Sequence, residues 1–471
     1  MCHRRAASTT SSGNKIPPLT TPTASTSDTS GDSSKSDIVP RALKNSTGGE
    51  TWVPKAQWID PGKGFRKVHP VFLRDACSCA SCIDPSSRQK KFQTTDIPNH
   101  INVSSMTELF NGDIQVTWTN DLPGFNADHK SIYSPAFFKM AEGRSAYLAD
   151  REMTPISRFW DGVRIKKVLR SITYNEYVNN DKAFATALLM LQRYGLLIVR
   201  DVPEAETAVE NLACRMGPIR DTFYGRTWDV KSVPNAKNVA YTHQYLGLHM
   251  DLLYMADPPG FQFLHCLQNS CEGGESIFVD SFTAAYNLER RDLYNLAKQT
   301  IPYHYRNAGE HYFHEHPVIE LSSPQQRDRD PNVKPVIEHV NYSPPFQADH
   351  IETSNFNSGA FERKLDLLRK FAAGCEDPKN LFEYKLQPGE CVIFNNRRVL
   401  HGRRQFEATA GERWLKGTYV DTDVFMSRWR VMSEAVKATE DKKFDLYLLP
   451  LVDAESRRIE EEKWESKLNE P

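Results

Sequence analysis

The sequence predicts a mainly β protein with flanking helices, in which a jelly-roll or barrel domain follows a small β-rich unit that carries a metal. Three observations predict this. Between about Tyr194 and Val431 short apolar runs alternate with Gly/Pro turns, as in Phe261 to Leu267, Ser276 to Val279 and Cys391 to Phe394. That spacing of strands suits a barrel or jelly roll. From Trp52 to Tyr133 the runs are shorter, with Ile114, Val116 and Trp118 on alternate positions, the period of a half-buried strand. Three cysteines, Cys77, Cys79 and Cys82, crowd into that first unit.

Taken in order, residues 1–48 are rich in Ser, Thr and Pro and have too little apolar surface to offset the entropy of ordering. They are read as a disordered or targeting segment. Arg4, Arg5 and Lys15 precede the first acid, Asp28, a transit-peptide composition, so the expected compartment is mitochondrial, with the cytoplasm as the alternative. Residues 49–140 form the expected metal-bearing domain, 160–435 the larger β domain, and 436–471 a charged helical tail. Within the larger domain Phe184 to Arg193 reads as a helix stopped by Gly195, and Leu196 to Val199 as a buried strand. Phe361, Leu365 and Leu368 mark an amphipathic helix beside the sheet. Residues 321–333 read as a polar surface insertion, and HYFHEHP, with His311, His314 and His316, as a loop, because it lacks the His-Glu-x-x-His order of a helical zinc protease.

Composition narrows the function. With 59 basic and 60 acidic residues the net charge is -1, which gives no electrostatic footprint for nucleic acid. The longest apolar stretch, Ala183 to Val199, is interrupted by Gln192, Arg193 and Gly195 and falls short of the ~20 residues of a membrane span. Nine cysteines in 471 residues do not make a disulfide scaffold; the clustered ones point to a reducing compartment and a metal.

The chemistry begins with LGLHMDLLYMADPPG, where His249 and Asp251 stand two apart. On a strand this spacing directs both side chains to one face, where an imidazole and a carboxylate can share a metal. His401 in NNRRVLHGRR follows the apolar strand CVIF and supplies a third donor, with Gly402 leaving room for close backbone approach. Two His and one carboxylate leave open positions on the ion, the arrangement of Fe(II) oxygenases. A His-x-Asp pair alone is usually inert, and further parts are needed to give it meaning. Ser276 follows Asp251 after 24 residues and Arg413 follows His401 after 11.

With these separations the sequence resembles the taurine-dioxygenase-like superfamily of Fe(II)/2-oxoglutarate enzymes. Through FYGRTWDV, NVAYTHQYLGLHMD, DPPGFQFLHC, GGESIFVDSF, LHGRR and GTYVDTDVFMSR it is similar to the γ-butyrobetaine/trimethyllysine hydroxylase family within it. The resemblance implies a double-stranded β-helix catalytic domain, Arg413 gripping the distal carboxylate of 2-oxoglutarate with Ser276 as helper, and ascorbate as a reductant. Arg397, Arg398, Arg403 and Arg404 are then structural or surface groups, and His243 and His265 take no part in the chemistry. The resemblance also carries over an aromatic cage for a quaternary ammonium substrate, made of Tyr224, Trp228, Tyr241 and Tyr419, in which ring faces replace the hydrogen bonds a trimethylammonium group cannot make. Asn238 and Asn341 become amides for its carboxylate, where the trimethyllysine branch has an Asp in place of Asn238. The implied reaction uses O2 to hydroxylate γ-butyrobetaine at C3 to carnitine and releases succinate and CO2. Trimethyllysine or a sulfonate is the alternative substrate, and a non-catalytic metal-binding barrel is the alternative of another class. Met250 and the LLYM that follows Asp251 depart from the family pattern at the mouth of the pocket. The family also implies a homodimer.

In LRDACSCASCIDP the spacing Cys-x-Cys-x2-Cys lets the thiolates of Cys77, Cys79 and Cys82 converge, and DHKSIY offers His129 as a fourth ligand, with His100 as its competitor. A closed Cys3His set is a structural zinc site, and the family resemblance places zinc here too.

Overall fold

Contacts along the chain divide it into two units, the first ending at Arg151 and the second beginning at Glu152. The computed structural model describes residues 58–62, 64–125, 128–152, 157–231, 243–322, 335–349, 358–407 and 411–438. The expectations for residues 1–48, for most of the 321–333 insertion and for nearly all of the 436–471 tail lie outside the described residues, as do those for Asn238 and Tyr241.

In the first unit β1 (Asn102–Glu108), β2 (Ile114–Thr119) and β3 (Lys130–Tyr133) form an antiparallel sheet in that order. Alternation in β2 buries Ile114, Val116 and Trp118 on one face, where they pack with Val68, Leu73, Ile97, Ile101, Leu122, Tyr133 and Phe138. The Trp118 indole N–H is satisfied by Ser131 Oγ at 2.9 Å. A short helix, Pro70–Asp75, begins with proline at its first position, where no intrahelical donor is lost. It delivers the chain to the three cysteines.

In the second unit the helix Asp181–Tyr194 starts where the Asn180 side chain accepts from the amides of Lys182 and Ala183, and it ends at Gly195. It is buried almost all round from Phe184 to Leu191, as befits a helix inside a large core. The strands that follow and precede it are β4 (Ser171–Thr173), β5 (Leu196–Arg200), β6 (Trp228–Lys231), β7 (Leu246–His249), β8 (Phe261–Asn269), β9 (Ser276–Asp280), β10 (Thr300–Asn307), β11 (Glu310–Pro317), β12 (Ile319–Leu321), β13 (Ile337–Val340), β14 (Phe382–Tyr384), β15 (Cys391–Asn395), β16 (Val399–Arg403) and β17 (Arg413–Val420).

Two sheets dominate. One has the order β4-β5-β15-β8-β17-β6 and the other β14-β9-β16-β7; among the described residues only the β4–β5 pair is parallel. Side chains from both sheets line a single cavity, so the sheets face each other across it. The first sheet's other face carries the helices Asp181–Tyr194, Ala208–Met216 and Thr422–Ala438, whose apolar residues join those of β5, β8 and β15 in one core. Covered on both faces, Cys391 to Phe394 are all buried, which is why this strand reads as a continuous apolar run rather than an alternating one.

Two expectations are corrected here. HYFHEHP is a strand and not a loop: β11 pairs with β10 in a hairpin that sets Tyr312 opposite Tyr305 and His314 opposite Tyr303. Its histidines disguise a period of two, with His311, Phe313 and Glu315 outward and His316 buried. The helix around Phe361 spans Ser358–Glu376, but its buried spine is Leu367, Phe371 and Cys375, and Gly374 brings it against Ala284 of the helix Ser281–Tyr286. Among the described residues no helix is long and apolar enough to cross a membrane.

Candidate active site

His249 ends β7, and His401 lies on the neighbouring β16 as its direct antiparallel partner, so two imidazoles meet with ring centroids 4.2 Å apart. Such closeness needs a bare position beside them. A Cβ on Gly402 would lie 2.7 Å from the Leu246 carbonyl oxygen, so only glycine lets the two strands meet there. Asp251 is not on the strand, as the spacing alone predicted, because β7 stops at His249 and the chain turns through Leu252 at φ 64°. A side chain holds it in place of a ladder: Asn396 Oδ1 accepts from the Asp251 amide at 2.9 Å, and Asn396 Nδ2 donates to the Asp251 and Pro259 carbonyls at 3.1 Å each.

The result is a convergent donor set. The ligand atoms of His249, Asp251 and His401 all lie within 4.8 Å of one another, with His249 Nε2 3.4 Å from Asp251 Oδ1 and His401 Nε2 4.0 Å from Oδ2. His249 Nδ1 donates to the Gly247 carbonyl at 2.8 Å, which leaves the Nε2 lone pair for a metal. Burial, followed by the nearby His249, lowers the His401 imidazole to about 3, so His401 is a neutral donor. Burial alone would raise the Asp251 carboxyl; the contact with His249 and the nearby imidazoles outweigh it and hold the group well below the usual carboxylate range.

The cavity beside this set, about 800 Å³ with its mouth, brings in Ser276 from β9 and Arg413 from β17. Arg413 is buried, its Nε has no hydrogen-bond partner, and among the described residues no carboxylate pairs with it. A buried guanidinium without a counter-charge is costly unless an anion arrives. Burial accordingly lowers its pKa from the usual arginine value. Arg398 faces away, paired with Asp280 at 2.8 Å, and Arg404 pairs with Glu383 at the surface. Arg403 corrects the sequence reading: it lines the cavity and donates to the Gln244 carbonyl at 2.6 Å. His265 is fully buried in β8, outside the cavity lining.

Tyr224, Trp228 and Tyr419 all line the cavity. Trp228 stacks on Tyr419 with centroids 4.0 Å apart, and it lies flat against β17 because position 417 is glycine, where a Cβ would come within 2.5 Å of the indole. Tyr419 does more than the sequence predicted: its hydroxyl donates to Asp251 Oδ2 at 2.6 Å. Tyr254 and Phe346 join the wall, with Tyr254 stacked on Tyr305 of the hairpin at 5.1 Å. Nothing in the sequence pointed to Phe346, whereas Tyr254 belongs to the LLYM expected at the pocket mouth and arrives by the turn after Asp251. Two expectations fail. Asn341 is fully buried and is not in the cavity wall; its Nδ2 donates to the Pro317 carbonyl and to Glu320 Oε1, both at 2.7 Å. Met250 packs in the core, while Leu252 and Tyr254 line the cavity.

In the first unit, the Sγ atoms of Cys77, Cys79 and Cys82 lie 3.7, 3.5 and 3.4 Å from His129 Nε2. Zinc–sulfur and zinc–nitrogen bonds of ordinary length give a tetrahedral edge of ~3.6 Å, so the four donors fit that ion. His100 is exposed and takes no part. Two partners escaped the sequence reading. Asp121 Oδ2 holds His129 Nδ1 at 2.7 Å, and Arg74 joins Asp121 Oδ1 at 2.6 Å and Cys82 Sγ at 3.2 Å. Burial opposes ionisation of all three thiols; hydrogen bonds from His129 and its neighbours nevertheless lower Cys79 to about 7, whereas burial raises Cys77 and Cys82.

The model for the taurine catabolism dioxygenase TauD, TfdA family matches residues 160–419. The chain belongs to that family. A second model, gamma-butyrobetaine hydroxylase-like, N-terminal, matches residues 58–137 of this TauD, TfdA family member. Dioxygenase str8 of Strobilurus tenacellus is 37% identical, covering 77% of this chain and 84% of its own. Gamma-butyrobetaine dioxygenase of Pseudomonas sp. (strain AK-1) is 32% identical, covering 77% and 90%. The mitochondrial trimethyllysine dioxygenase of Bos taurus is 27% identical, covering 77% and 82%. The TauD, TfdA family member described here is therefore a 2-oxoglutarate-dependent dioxygenase of the γ-butyrobetaine and trimethyllysine hydroxylase type. Two imidazoles, a carboxylate and an unpartnered buried guanidinium fit Fe(II) and 2-oxoglutarate, and the Cys3His set fits zinc.

The Tyr419 hydroxyl separates two roles. Tyr419→Phe keeps the ring stacked on Trp228 and removes only the hydrogen bond to Asp251. Loss of such an outer partner typically costs about 10–100-fold in metal affinity or activity. Fe(II) titration should show that weakening with little change in substrate KM; a KM effect alone would leave Tyr419 as a cage residue only.

Proposed function

We propose that the protein hydroxylates a small trimethylammonium carboxylate, with γ-butyrobetaine as substrate and carnitine as product. The observation that carries this reading is the stacked Trp228–Tyr419 wall standing directly beside the metal donors, joined to Asp251 by the Tyr419 hydroxyl. Tyr224 and Tyr254 complete an aromatic surround. Among the described residues Asp251 is the one carboxylate in the lining, against Arg403 and Arg413. A cation is then recognised by ring faces, while the excess of guanidinium favours carboxylate groups. The Pseudomonas relative's name supports the same substrate.

In this reading His249, Asp251 and His401 hold Fe(II), and Arg413 with Ser276 holds the distal carboxylate of 2-oxoglutarate. The bound metal and cosubstrate supply oxidative decarboxylation, which gives succinate and CO2 and hydroxylates the substrate with O2. The chain's own contribution is positional: the aromatic wall presents one C–H bond to the metal side of the cavity. The apolar walls formed by Leu252, Leu264 and Leu415 help keep water away. A mitochondrial location, supported by the name of the bovine relative, and a homodimer belong to the same reading.

The test is succinate release by purified enzyme offered γ-butyrobetaine, trimethyllysine and taurine separately. γ-Butyrobetaine should be favoured, and Trp228→Ala should raise its KM about 2- to 30-fold, as expected for one lost aromatic face. A second reading rests on the 37% identity to Dioxygenase str8 and on the apolar share of the lining, which suits an uncharged substrate. Formation of the iron–2-oxoglutarate band without turnover of any trimethylammonium compound would favour it.

A further inference from the structure

A second cavity lies behind the turn that carries Asp251. Its lining includes Asp257, His316, Glu320, Glu338, His339 and Arg397, together with the start of the helix Thr422–Ala438 at Asp421, Thr422 and Asp423. At its floor Arg397 is 5% exposed. Its Nη2 donates to Glu320 Oε1 at 3.2 Å, but Nη1 has no partner. Glu320 Oε1 is already shared with Asn341 Nδ2 at 2.7 Å, so it does not also satisfy the second guanidinium edge.

Two imidazoles stand beside the guanidinium. His316 Nε2 donates to the Met255 carbonyl at 2.9 Å, which leaves Nδ1 as an acceptor. His339 Nδ1 is buried without a partner. Burial first, and Arg397 second, keep His339 neutral, and burial does the same for His316. Towards solvent the wall turns acidic, with the exposed carboxylates of Asp257, Glu338 and Asp423. Arg220, outside the lining, bridges Asp257 and Asp421 at 3.6 and 2.7 Å.

This sequence of groups, from floor to rim, describes a ligand. The unpartnered Arg397 Nη1 calls for an acceptor oxygen of an anionic group. Neutral imidazole nitrogens and rim carboxylates call for a cationic N–H donor. Among the described residues no three of the cavity's His, Asp and Glu donors lie within 4.8 Å of one another, so these donors are not set for a bare metal ion. Among the described residues no Phe, Tyr or Trp ring lines it, so a methylated ammonium finds none of the faces that surround the iron cavity. We infer that this cavity is a second binding site that takes a small carboxylate bearing a primary ammonium group and rejects its trimethylated counterpart.

Calorimetric titration of γ-aminobutyrate into the iron- and 2-oxoglutarate-loaded enzyme tests this. Binding should survive Trp228→Ala, weaken at least about tenfold in Arg397→Gln, and weaken about tenfold when Glu338→Gln and Asp423→Asn are combined, as expected for lost charge-assisted hydrogen bonds. The rim pair is exposed, so its variant keeps the test decisive if Arg397→Gln does not fold. γ-Butyrobetaine at equal concentration should leave the γ-aminobutyrate signal in place. Absence of binding up to about 10 mM, tenfold above a ~1 mM Kd, would overturn the inference. So would loss of binding in Trp228→Ala with retention in the rim variant, or displacement by γ-butyrobetaine.

Discussion

The His249→Ala protein should release no succinate above background. Three donors converge on the metal position, and His249 is the one whose tautomer is fixed from behind by the Gly247 carbonyl. Removing it leaves one imidazole and one carboxylate, too few to hold Fe(II) against solvent. Loss of an outer partner already costs about 10–100-fold, and loss of a ligand should exceed that. The measurement is anaerobic titration with Fe(II) and 2-oxoglutarate, read by the visible charge-transfer band, followed by a succinate assay in air. His265→Ala is the control, because His265 is also a buried imidazole but lies outside the cavity lining. Retention of more than about a tenth of the activity in His249→Ala would remove that residue from the metal.

Cys82→Ser should unfold the first unit. Its apolar core is small, ten buried residues around β2, and structural zinc contributes about 10–16 kcal/mol in small metal domains, as much as the ~5–15 kcal/mol that holds a whole domain together. Without the ion the unit keeps buried thiols, an imidazole and the Arg74–Asp121 pair around an uncompensated space. Zinc content by colorimetric release, and amide hydrogen exchange across β1 to β3, would follow the change. Exchange should become fast through all three strands in Cys82→Ser and in chelator-treated wild type alike. Slow exchange in zinc-free protein would mean that the core suffices.

The metal donors were readable because each belongs to a short string whose spacing has chemical meaning. His249 and Asp251 stand two apart, the cysteines sit within six residues, and His401 follows an apolar strand. Strands such as β2, β8 and β15 were legible for a similar reason, since burial on one or both faces leaves a local period. What escaped was chosen by tertiary contact. Asn396 clamps Asp251 across 145 positions, Asp121 and Arg74 brace the zinc ligands, and Phe346 joins the cavity wall from a short helical turn after β13. Asn341 shows the opposite failure. A resemblance offered it as a substrate amide, yet Pro317 and Glu320 occupy its donors.

Gly417 has a further bearing on how such enzymes can be retuned. Because the Trp228 indole rests on naked main chain, the width of the chamber is set by a strand and not by a swivelling side chain. A single methyl added at that position would displace the indole and, through its stack on Tyr419, reshape the space for guest molecules without adding any group to the metal donors. Selectivity in this scaffold can therefore drift through the floor beneath an aromatic panel, a change that comparing only the panels themselves would overlook.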